Sequence, residues 1–503
     1  MIRPVEEQRR ADAARQGVSS ALYEEFRSRI VDGTYPAGAA LPSTRALAAE
    51  RGLSRATVSV VYEQLAADGF IQTRAGAASR VTAGASPVSR AARPRPGKAG
   101  SAAGDRFGGR LSAMGDRIAA MALASAAPGL SGEIDFVYGP LAGSDFPTVA
   151  WIKALRAVER QRRPRLEYED PRGHLALRRA LQTHLGQTRG MACSVDQIMI
   201  VSGSQQALDL CARLLIDPGD RVMVENPGYR MARHAFEAQG AVLQCVDVDD
   251  HGMMTAQLAA LGRAQLAYVT PTHQFPLGAF LPIGRRRELL AWAQRSRAWI
   301  IEDDYDSEYR YTVRPEATLQ SLDTQGCVIY VGTFSKTLSP QLRLGYMVLP
   351  PALMDTFAAA RRLMDRHGAT SAQQALARLL EEGSYTRHVR RIRRAQQARQ
   401  RALVDALERH LGERVEVQGA ASGLHLVVWF KALPASAEPA LADAARQHGV
   451  RVYPLGPLFH PGAPGAAERR AGFVLGYAAL TLEAIETGIR RLAQALTALE
   501  RRA

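Results

Sequence analysis

The sequence has few cysteines and no long hydrophobic run. Its cysteines lie far apart among mostly apolar neighbours, at Cys193, Cys211, Cys245 and Cys327. This pattern is typical of buried reduced thiols rather than of a disulfide framework or a zinc site. No apolar run reaches the roughly 18 to 20 residues of a membrane helix, and the N-terminus lacks the apolar segment of a secretory signal. We therefore expect a cytoplasmic protein with no metal site.

Lysine is also scarce. The 503-residue chain contains four lysines against 60 arginines and carries a formal net charge of +15. One of the lysines, Lys336, lies between Ser335 and Thr337, shortly after the apolar run 327–330. An arginine could not replace a lysine that forms a Schiff base, because a guanidinium group does not deprotonate to attack a carbonyl. The pattern predicts that Lys336 attaches a carbonyl compound through a Schiff base.

The first part of the chain is basic and shows a helix-turn-helix pattern. Residues 1–110 contain 17 arginines and lysines and 10 acidic residues, a net charge of +7, which agrees with binding to nucleic acid. Apolar residues recur at helical spacing in three segments, which are residues 19–31, 43–50 and 54–65. The third segment follows a tight turn at Gly52 and opens with hydroxyl residues and an arginine, as a recognition helix does. Residues 70–74 and 78–82 predict a two-stranded wing.

These segments resemble the winged helix-turn-helix of the GntR superfamily. Residues 19–82 match its pattern of P-S-x-R-x-L-A, S-R-x-T-V and L-x-x-D-G. The resemblance implies a DNA-binding domain over residues 15–82, whose DNA-facing residues are Arg45, Ser54, Arg55, Thr57 and, at the tip of the wing, Gly76. Ala56 and Ser59 replace a hydroxyl residue or an arginine of other members, so phosphate contacts are expected to dominate over base contacts. A small helical domain for protein contacts is the alternative.

Residues 83–129 are predicted to be a flexible linker. Between residues 83 and 111 hydrophobic periodicity is lost, and Pro, Gly, Ala, Ser and Arg predominate. From about residue 130 onwards, short apolar strands alternate with helices, as in α/β folds. Several of these strands end in polar clusters, and ligands of open α/β sheets bind at the carboxyl ends of the strands.

The polar clusters supply the groups that pyridoxal phosphate requires. Its ring nitrogen needs a carboxylate to stay protonated, and the acidic cluster 302–304 follows an apolar strand. Its ring can stack on the aromatic face of Tyr229. Its phosphate needs N–H donors, hydroxyl groups and a cation. These can come from Ser204, Gln205, Thr333, Ser335 and Arg343.

Residues 130–503 resemble a fold-type I aminotransferase domain, an α/β fold with a large subdomain and a small subdomain mainly at about 385–503. Six ordered motifs carry the resemblance: YEDPRGHLALR (168–178), SGSQQALDL (202–210), DPGDRVMVENPGY (217–229), TPTHQFPLG (270–278), EDDYDSEY (302–309) and GTFSKTLSPQLRLGY (332–346). With the winged helix in front of this domain, the whole chain resembles the MocR/GabR regulators.

The resemblance implies a role for each site residue. Lys336 forms the Schiff base, Asp303 holds the ring nitrogen, and Tyr305 hydrogen-bonds the phenolic oxygen. Tyr229 stacks on the ring, and Tyr168 reaches the phosphate of a partner subunit, so that a homodimer completes the site. The phosphate is held by Ser204, Gln205, Thr333, Ser335 and Arg343.

Two features depart from the pattern of true aminotransferases. The asparagine that usually faces the phenolic oxygen is missing, and His273 or Gln274 is expected to serve in its place. No arginine clearly matches the one that binds a substrate carboxylate. Arg230, Arg233 and Arg451 are the candidates.

Three hypotheses follow for the function. The first is a pyridoxal phosphate-dependent transcriptional regulator, a homodimer that binds double-stranded operator DNA and senses an amino compound, or pyridoxal phosphate itself, through Lys336. The second is an active aminotransferase whose DNA-binding domain is autoregulatory, and sustained production of a ketoacid would indicate it. The third is a regulator that has lost the cofactor, for which no Schiff-base absorbance is expected.

Overall fold

The computed structural model describes residues 18–74, 77–83, 110–121, 123, 132–161, 165, 167–311, 317–461 and 469–501 of the 503-residue chain. The chain divides into two compact units, residues 1–109 and 110–503. Among the described residues, no helix is both long and apolar enough to cross a membrane. The predicted wing tip, Gly76, lies outside the described residues.

The first unit is a winged helix-turn-helix, as predicted. Its elements are α1 (residues 18–31), α2 (Thr44–Arg51), α3 (Arg55–Ala67), β1 (Ile71–Gln72) and β2 (Arg80–Val81). Ser43 and Ser54 cap α2 and α3, since each hydroxyl accepts a backbone N–H three residues later, at 3.1 Å. The antiparallel pair β1 and β2 forms the wing. The core contains Phe26, Ile30, Leu47, Val58, Val61, Leu65, Ile71 and Val81.

A short helix, α4 (Ala113–Ala120), forms within the segment 83–129 that the sequence assigns to the linker. Ser112 caps it, and Arg117 Nε donates to the carbonyl oxygen of Ala238 at 2.9 Å. None of its residues is fully buried, so polar contacts such as that of Arg117 position the helix. The domain boundaries themselves stay a prediction.

The remainder of the second unit is an α/β domain, as predicted. Its strands are β3 (Ile134–Asp135), β4 (Ile198–Val201), β5 (Arg221–Asn226), β6 (Val242–Asp249), β7 (Gly252–Met253), β8 (Leu266–Val269), β9 (Trp299–Asp304), β10 (Val328–Thr333), β11 (Gly345–Val348), β12 (Val415–Gln418), β13 (His425–Pro434), β14 (Val450–Arg451), β15 (Tyr453–Pro454) and β16 (Arg470–Gly476). Its further helices are α5 (Thr148–Glu159), α6 (Leu175–Arg189), α7 (Ser204–Leu215), α8 (Arg230–Gln239), α9 (Leu258–Leu261), α10 (Ile283–Ser296), α11 (Leu319–Leu322), α12 (Met354–Asp365), α13 (Thr370–Glu381), α14 (Ser384–His410), α15 (Glu438–Gln447) and α16 (Leu482–Glu500).

The large subdomain is built on an eight-stranded sheet in the order β4-β11-β10-β9-β8-β5-β6-β7. Strands β10, β9, β8, β5 and β6 are parallel, whereas β11 runs antiparallel to both of its neighbours. Helices cover both faces, so that β4, β8, β10 and β11 are buried along their whole length. One face packs Tyr330 and Tyr346 against α6 and α13, and the other packs Ile329 and Met347 against α7.

The small subdomain is an antiparallel sheet in the order β12-β13-β16-β15, covered by α14, α15 and α16. Its core includes Leu403, Leu407, Leu426, Phe473 and Ile489. Strand β3, from the start of the domain, pairs in parallel with β14. The N-terminal end of the domain is therefore held against the small subdomain, and this places residues 138–139 beside the large sheet's carboxyl edge.

Candidate functional site

A cavity of about 260 Å³ lies where β4, β5, β8, β9 and β10 end, at the carboxyl edge of the large sheet. The structure brings nine of the predicted cofactor-binding residues to its wall, and these are Lys336, Asp303, Tyr305, Tyr229, Ser204, Gln205, Thr333, Ser335 and Arg343. Parallel strands deliver their carboxyl ends to one edge of a sheet, which explains how motifs distant in sequence converge. His273 and Tyr168 do not line this cavity.

Lys336 follows β10 and projects into the cavity. Its Nζ donates to the carbonyl oxygen of Gly139 at 3.1 Å, and Tyr309 donates to the carbonyl oxygen of Lys336 at 2.6 Å. Burial lowers the pKa of Lys336, while the nearby carboxylates of Asp306 and Asp303 partly offset this effect. The lowered pKa increases the fraction of neutral amine, which is the form that attacks a carbonyl.

Asp303 is the penultimate residue of β9, and one of its two carboxylate oxygens has no hydrogen-bond partner. Tyr268 donates to its Oδ2 at 2.8 Å, whereas its buried Oδ1 has no hydrogen-bond partner. Burial raises the pKa of Asp303 to about 7, although the hydrogen bond from Tyr268 opposes the shift. An orphaned carboxylate oxygen on a cavity wall is what the ring N–H of pyridoxal phosphate requires. This arrangement therefore fits the cofactor.

The N-terminus of α7 forms an anion seat at the other end of the cavity. Ser204 and Gln205 open the helix, whose free N–H groups and dipole favour a phosphate. Arg343 lies against this turn and donates to the carbonyl oxygen of Ser202 at 2.6 Å. A Cβ atom at Gly203 would lie 2.7 Å from Arg343 Nη2, and the φ angle of +83° also favours glycine there. Only glycine therefore lets the guanidinium approach the helix end closely.

Tyr305 is positioned by a buried histidine. His273 Nδ1 lies 2.9 Å from Asp306 Oδ2 and 3.0 Å from the hydroxyl oxygen of Tyr305. Since a carboxylate only accepts hydrogen bonds, we assign the ring proton to Nδ1, whose single N–H is then shared between Asp306 Oδ2 and the Tyr305 oxygen. The Tyr305 oxygen then accepts on this side, and its own proton is free to point into the cavity. The sequence predicts His273 at the cofactor itself, whereas in the structure it acts from behind Tyr305, at 2% exposure.

Gln274 is the other residue that the sequence offers in place of the missing asparagine. In the structure its side chain forms hydrogen bonds within the loop after β8. Its Nε2 donates to the carbonyl oxygens of Pro227 at 2.9 Å and Phe275 at 2.7 Å, and its Oε1 accepts from Leu277 N–H at 3.1 Å. The side chain is buried and does not line the cavity. Its amide therefore fixes the turn after β8.

Sequence reasoning missed several residues of the cavity wall. Tyr138, Phe275, Asp306 and His425 line it and carry no role in the sequence-based assignment. Asp306 and Phe275 stand in the motifs EDDYDSEY and TPTHQFPLG, so their positions could have drawn attention, but Tyr138 and His425 lie outside the six motifs. Burial lowers the pKa of His425 to about 3, and this imidazole is therefore neutral.

The remaining predicted residues lie away from the cavity of this chain. Tyr168 is 75% exposed, and the Arg366 guanidinium lies 4.8 Å from its ring centroid. Arg451 is 3.9 Å from Asp135 and does not line the cavity. Arg230 and Arg233 line a different cavity.

In the first unit, the predicted DNA-facing residues cluster at the start of α3 and on α2. Arg55 and Arg45 are exposed. The hydroxyls of Ser54 and Thr57 lie 2.7 Å apart, and Ser54 also caps the helix. Ser54 therefore has a structural role in addition to any DNA contact.

Comparison with known proteins finds a matching family for each of the two units. Residues 18–81 match the family model for bacterial regulatory proteins of the gntR family, and residues 138–492 match aminotransferase class I and II. The chain is 36% identical to a probable rhizopine catabolism regulatory protein, MocR, of Rhizobium meliloti, over 95% of this chain and 94% of that protein. It is 34% identical to the HTH-type transcriptional regulator TauR of Rhodobacter capsulatus, over 99% and 100% of the two chains.

Two solved aminotransferases resemble the second unit. One is a multiple substrate aminotransferase from Thermococcus profundus, with a TM-score of 0.69 and 28% identity over 78% of this chain and 98% of that chain. The other is the α-aminoadipate aminotransferase LysN from Thermus thermophilus, with a TM-score of 0.67 and 29% identity over 74% and 94%. Domains of this class typically bind pyridoxal phosphate. The chain belongs to the MocR family of HTH-type transcriptional regulators, which joins a GntR-type DNA-binding domain to an aminotransferase class I and II domain.

Proposed function

We propose that this regulator depends on pyridoxal phosphate, binds double-stranded operator DNA in the cytoplasm, and senses an amino compound or pyridoxal phosphate itself at Lys336. The observation that carries the proposal is the shared cavity of Lys336 and the unpartnered Oδ1 of Asp303. A structural role alone does not explain a buried carboxylate oxygen without a donor. The anion seat at α7 supports the same assignment.

The residues that would hold the cofactor are those that share the cavity. Asp303 would bind the ring nitrogen, Tyr305 would donate to the phenolic oxygen, and Tyr229 would stack on the ring. The phosphate would be bound by Ser204, Gln205, Thr333, Ser335 and Arg343. When bound, pyridoxal phosphate supplies an aldehyde that condenses with primary amines and a ring that withdraws electrons. Lys336, with its lowered pKa, supplies the amine of the protein.

A homodimer is part of the proposal. Tyr168 and Leu363 are 75% and 89% exposed, and Arg366 links Tyr168 to the end of α12 that carries Leu363. Large apolar side chains that are this exposed are typical of a protein interface. Gln206 of α7 contacts Met364, with its Nε2 3.4 Å from the sulfur, so this surface borders the anion seat. A partner subunit bound here would bring its own Tyr168 near the cavity.

Spectral titration tests the assignment of Lys336. Wild-type protein titrated with pyridoxal phosphate is expected to develop an absorption band distinct from that of the free cofactor. Borohydride reduction followed by peptide mass mapping should locate the cofactor on Lys336. Lys336→Ala should abolish both signals, while Lys431→Ala, at an exposed lysine, should leave them unchanged. An unchanged band in Lys336→Ala would contradict the proposal.

Operator binding tests the sensing function. Gel-shift affinity for the operator should change when candidate amines are added to the wild type with bound cofactor, and this response should disappear in Lys336→Ala. An effector response that persists in Lys336→Ala would favour a regulator without the cofactor.

An active aminotransferase is the second candidate. The likeness to solved aminotransferases and the pairing of a lysine with a buried carboxylate favour it. Against it, Arg343 is the only arginine among the described residues that line the cavity, and it belongs to the anion seat. No second guanidinium of this wall is therefore available to a substrate carboxylate. Sustained ketoacid production from amino donors by the purified protein would establish the enzyme.

A further inference from the structure

A second cavity, of about 440 Å³, lies beside the N-terminal half of α8 and is surrounded by positive charge. Arg230 and Arg233 of α8 line it together with Arg469, which precedes β16. Among the described residues of the wall, the acidic one is Glu237, whose Oε2 lies 3.1 Å from His234 Nδ1. The described lining residues of the two cavities do not overlap.

Arg233 is the unusual residue of this wall. Its side chain is 4% exposed; Nη2 donates to the carbonyl oxygen of Pro457 at 3.3 Å, and the buried Nη1 has no hydrogen-bond partner. Burial lowers the pKa of Arg233, and the nearby Glu237 carboxylate, which is outside salt-bridge distance, offsets this effect only in part. A buried unpaired charge is costly, so such a group in a folded protein points to a missing partner.

The contrast with other buried arginines strengthens this point. Arg178 and Arg361, which are both buried, each have a carboxylate oxygen within 3.1 Å, although a third buried arginine, Arg310, also leaves its Nε without a partner. Within the described ranges, the three arginines of the second cavity have no carboxylate at salt-bridge distance. Arg469 instead lies over the ring of Phe459, with its guanidinium carbon 3.7 Å from the ring centroid.

We propose that this cavity binds a small oxyanion, a carboxylate or a phosphate, with Arg233 as the inner ligand and Arg230 and Arg469 as the outer ligands. Guanidinium groups bind planar oxyanions through paired N–H donors, and the wall offers three of them. The site is separate from Lys336 and does not depend on the function proposed for that residue.

The wall also includes Met121 and Leu123, which follow α4 directly. Helix α4 itself is fastened to α8 by the hydrogen bond from Arg117 to Ala238. An anion bound to α8 would therefore stabilise the packing of α4, and hydrogen exchange in residues 113–121 is expected to slow when the site is filled.

The test uses the full chain saturated with pyridoxal phosphate, so that the anion seat near Lys336 is already filled. The probes are inorganic phosphate and succinate, each compared with sodium chloride at the same ionic strength. Both the melting temperature and the hydrogen exchange of α4 should respond to a probe beyond the chloride effect. Arg233→Met should weaken the apparent affinity at least tenfold, and Arg230→Met and Arg469→Met should weaken it several-fold. A response to one probe only would identify the oxyanion.

Matched controls decide the outcome. Arg362→Met, at an exposed arginine of α12, should keep the wild-type response. In chloride alone, Arg233→Met should be at least as stable as the wild type, because it removes an unpaired buried charge. Equal responses of wild type and Arg233→Met, or an equal loss in Arg362→Met, would overturn the proposal. Should Arg233→Met fail to fold, an unchanged response in both Arg230→Met and Arg469→Met would overturn it.

Discussion

In the Lys336 cavity, burial disfavours the charged forms of two residues, Lys336 and Asp303. The amine of Lys336 and the carboxylate of Asp303 both lose hydration, so that the pKa of the amine falls and that of the carboxyl rises. Neither group has a protein partner that fully compensates, since Asp303 Oδ1 is unpartnered. A ligand with a ring N–H and a carbonyl would relieve both groups, which is the physical basis of the proposed cofactor preference.

His273 is expected to orient the hydroxyl group of Tyr305 so that its proton points into the cavity. In His273→Phe the Tyr305 hydroxyl is expected to turn toward the Asp306 carboxylate, because the competing donor is lost. The phenolic oxygen of the bound cofactor would then lose its donor, and the pH midpoint of its absorption change should rise by about one unit. The measurement is a spectral pH titration of the protein with cofactor bound.

A double mutant gives the control for this prediction. Tyr305→Phe should shift the midpoint in the same direction, and the double mutant should shift no further than Tyr305→Phe alone, since both changes remove the same hydrogen bond. Additive shifts would mean that His273 acts on the cofactor by another route.

Strand β9 illustrates how much of the site could be predicted from the sequence. Strand β9 carries Glu302, Asp303 and Asp304 in a row, and successive side chains of a strand point to opposite faces. Asp303 therefore faces Tyr268 and the cavity, whereas Asp304 pairs with Arg189 at 3.0 Å. The sequence places these carboxylates at a strand end. The family resemblance is needed to choose among them.

Other features depend on contacts that no local pattern records. Helix α4 buries no side chain of its own and is fastened by Arg117 to a carbonyl 121 residues away. His273 lies behind Tyr305 because the loop after β8 packs against Asp306 and Gly423, where an added Cβ would lie 2.0 Å from the imidazole. Tertiary packing decides both features, and spacing along the chain does not encode them.

In the recognition helix α3, the roles of two predicted DNA-facing residues, Arg55 and Ser54, can be tested separately. Arg55 is exposed, so Arg55→Ala should leave the fold intact, weaken operator binding and reduce the slope of log affinity against log salt by about 1. Ser54 caps the helix, so Ser54→Ala should destabilise the first unit by about 1 kcal/mol and leave the salt slope unchanged. Binding isotherms at several salt concentrations measure both effects. An unchanged slope in Arg55→Ala would show that this residue does not contact a phosphate.

At the scale of the whole molecule, the exposed surface around Leu363 predicts that the cofactor site is shared between subunits. Leu363→Glu should shift the protein from dimer to monomer in sedimentation experiments and weaken the binding of pyridoxal phosphate. Leu482→Glu, at a 52% exposed leucine of α16, provides a matched control that should stay dimeric. A dimer that survives Leu363→Glu would place the interface on another surface.

Mixing two defective proteins tests the sharing directly. Lys336→Ala lacks the attachment point, and Tyr168→Phe is expected to bind pyridoxal phosphate weakly because it lacks the phosphate contact that we propose each subunit gives to the other. In a mixed dimer, the subunit that keeps Lys336 receives the intact Tyr168 of its partner, so one of the two sites is complete. Tight binding should therefore reappear after the two proteins are mixed and allowed to exchange subunits, although each alone lacks it. If Tyr168 served the cavity of its own chain, mixing would restore nothing, because the subunit with Lys336 would still carry the phenylalanine.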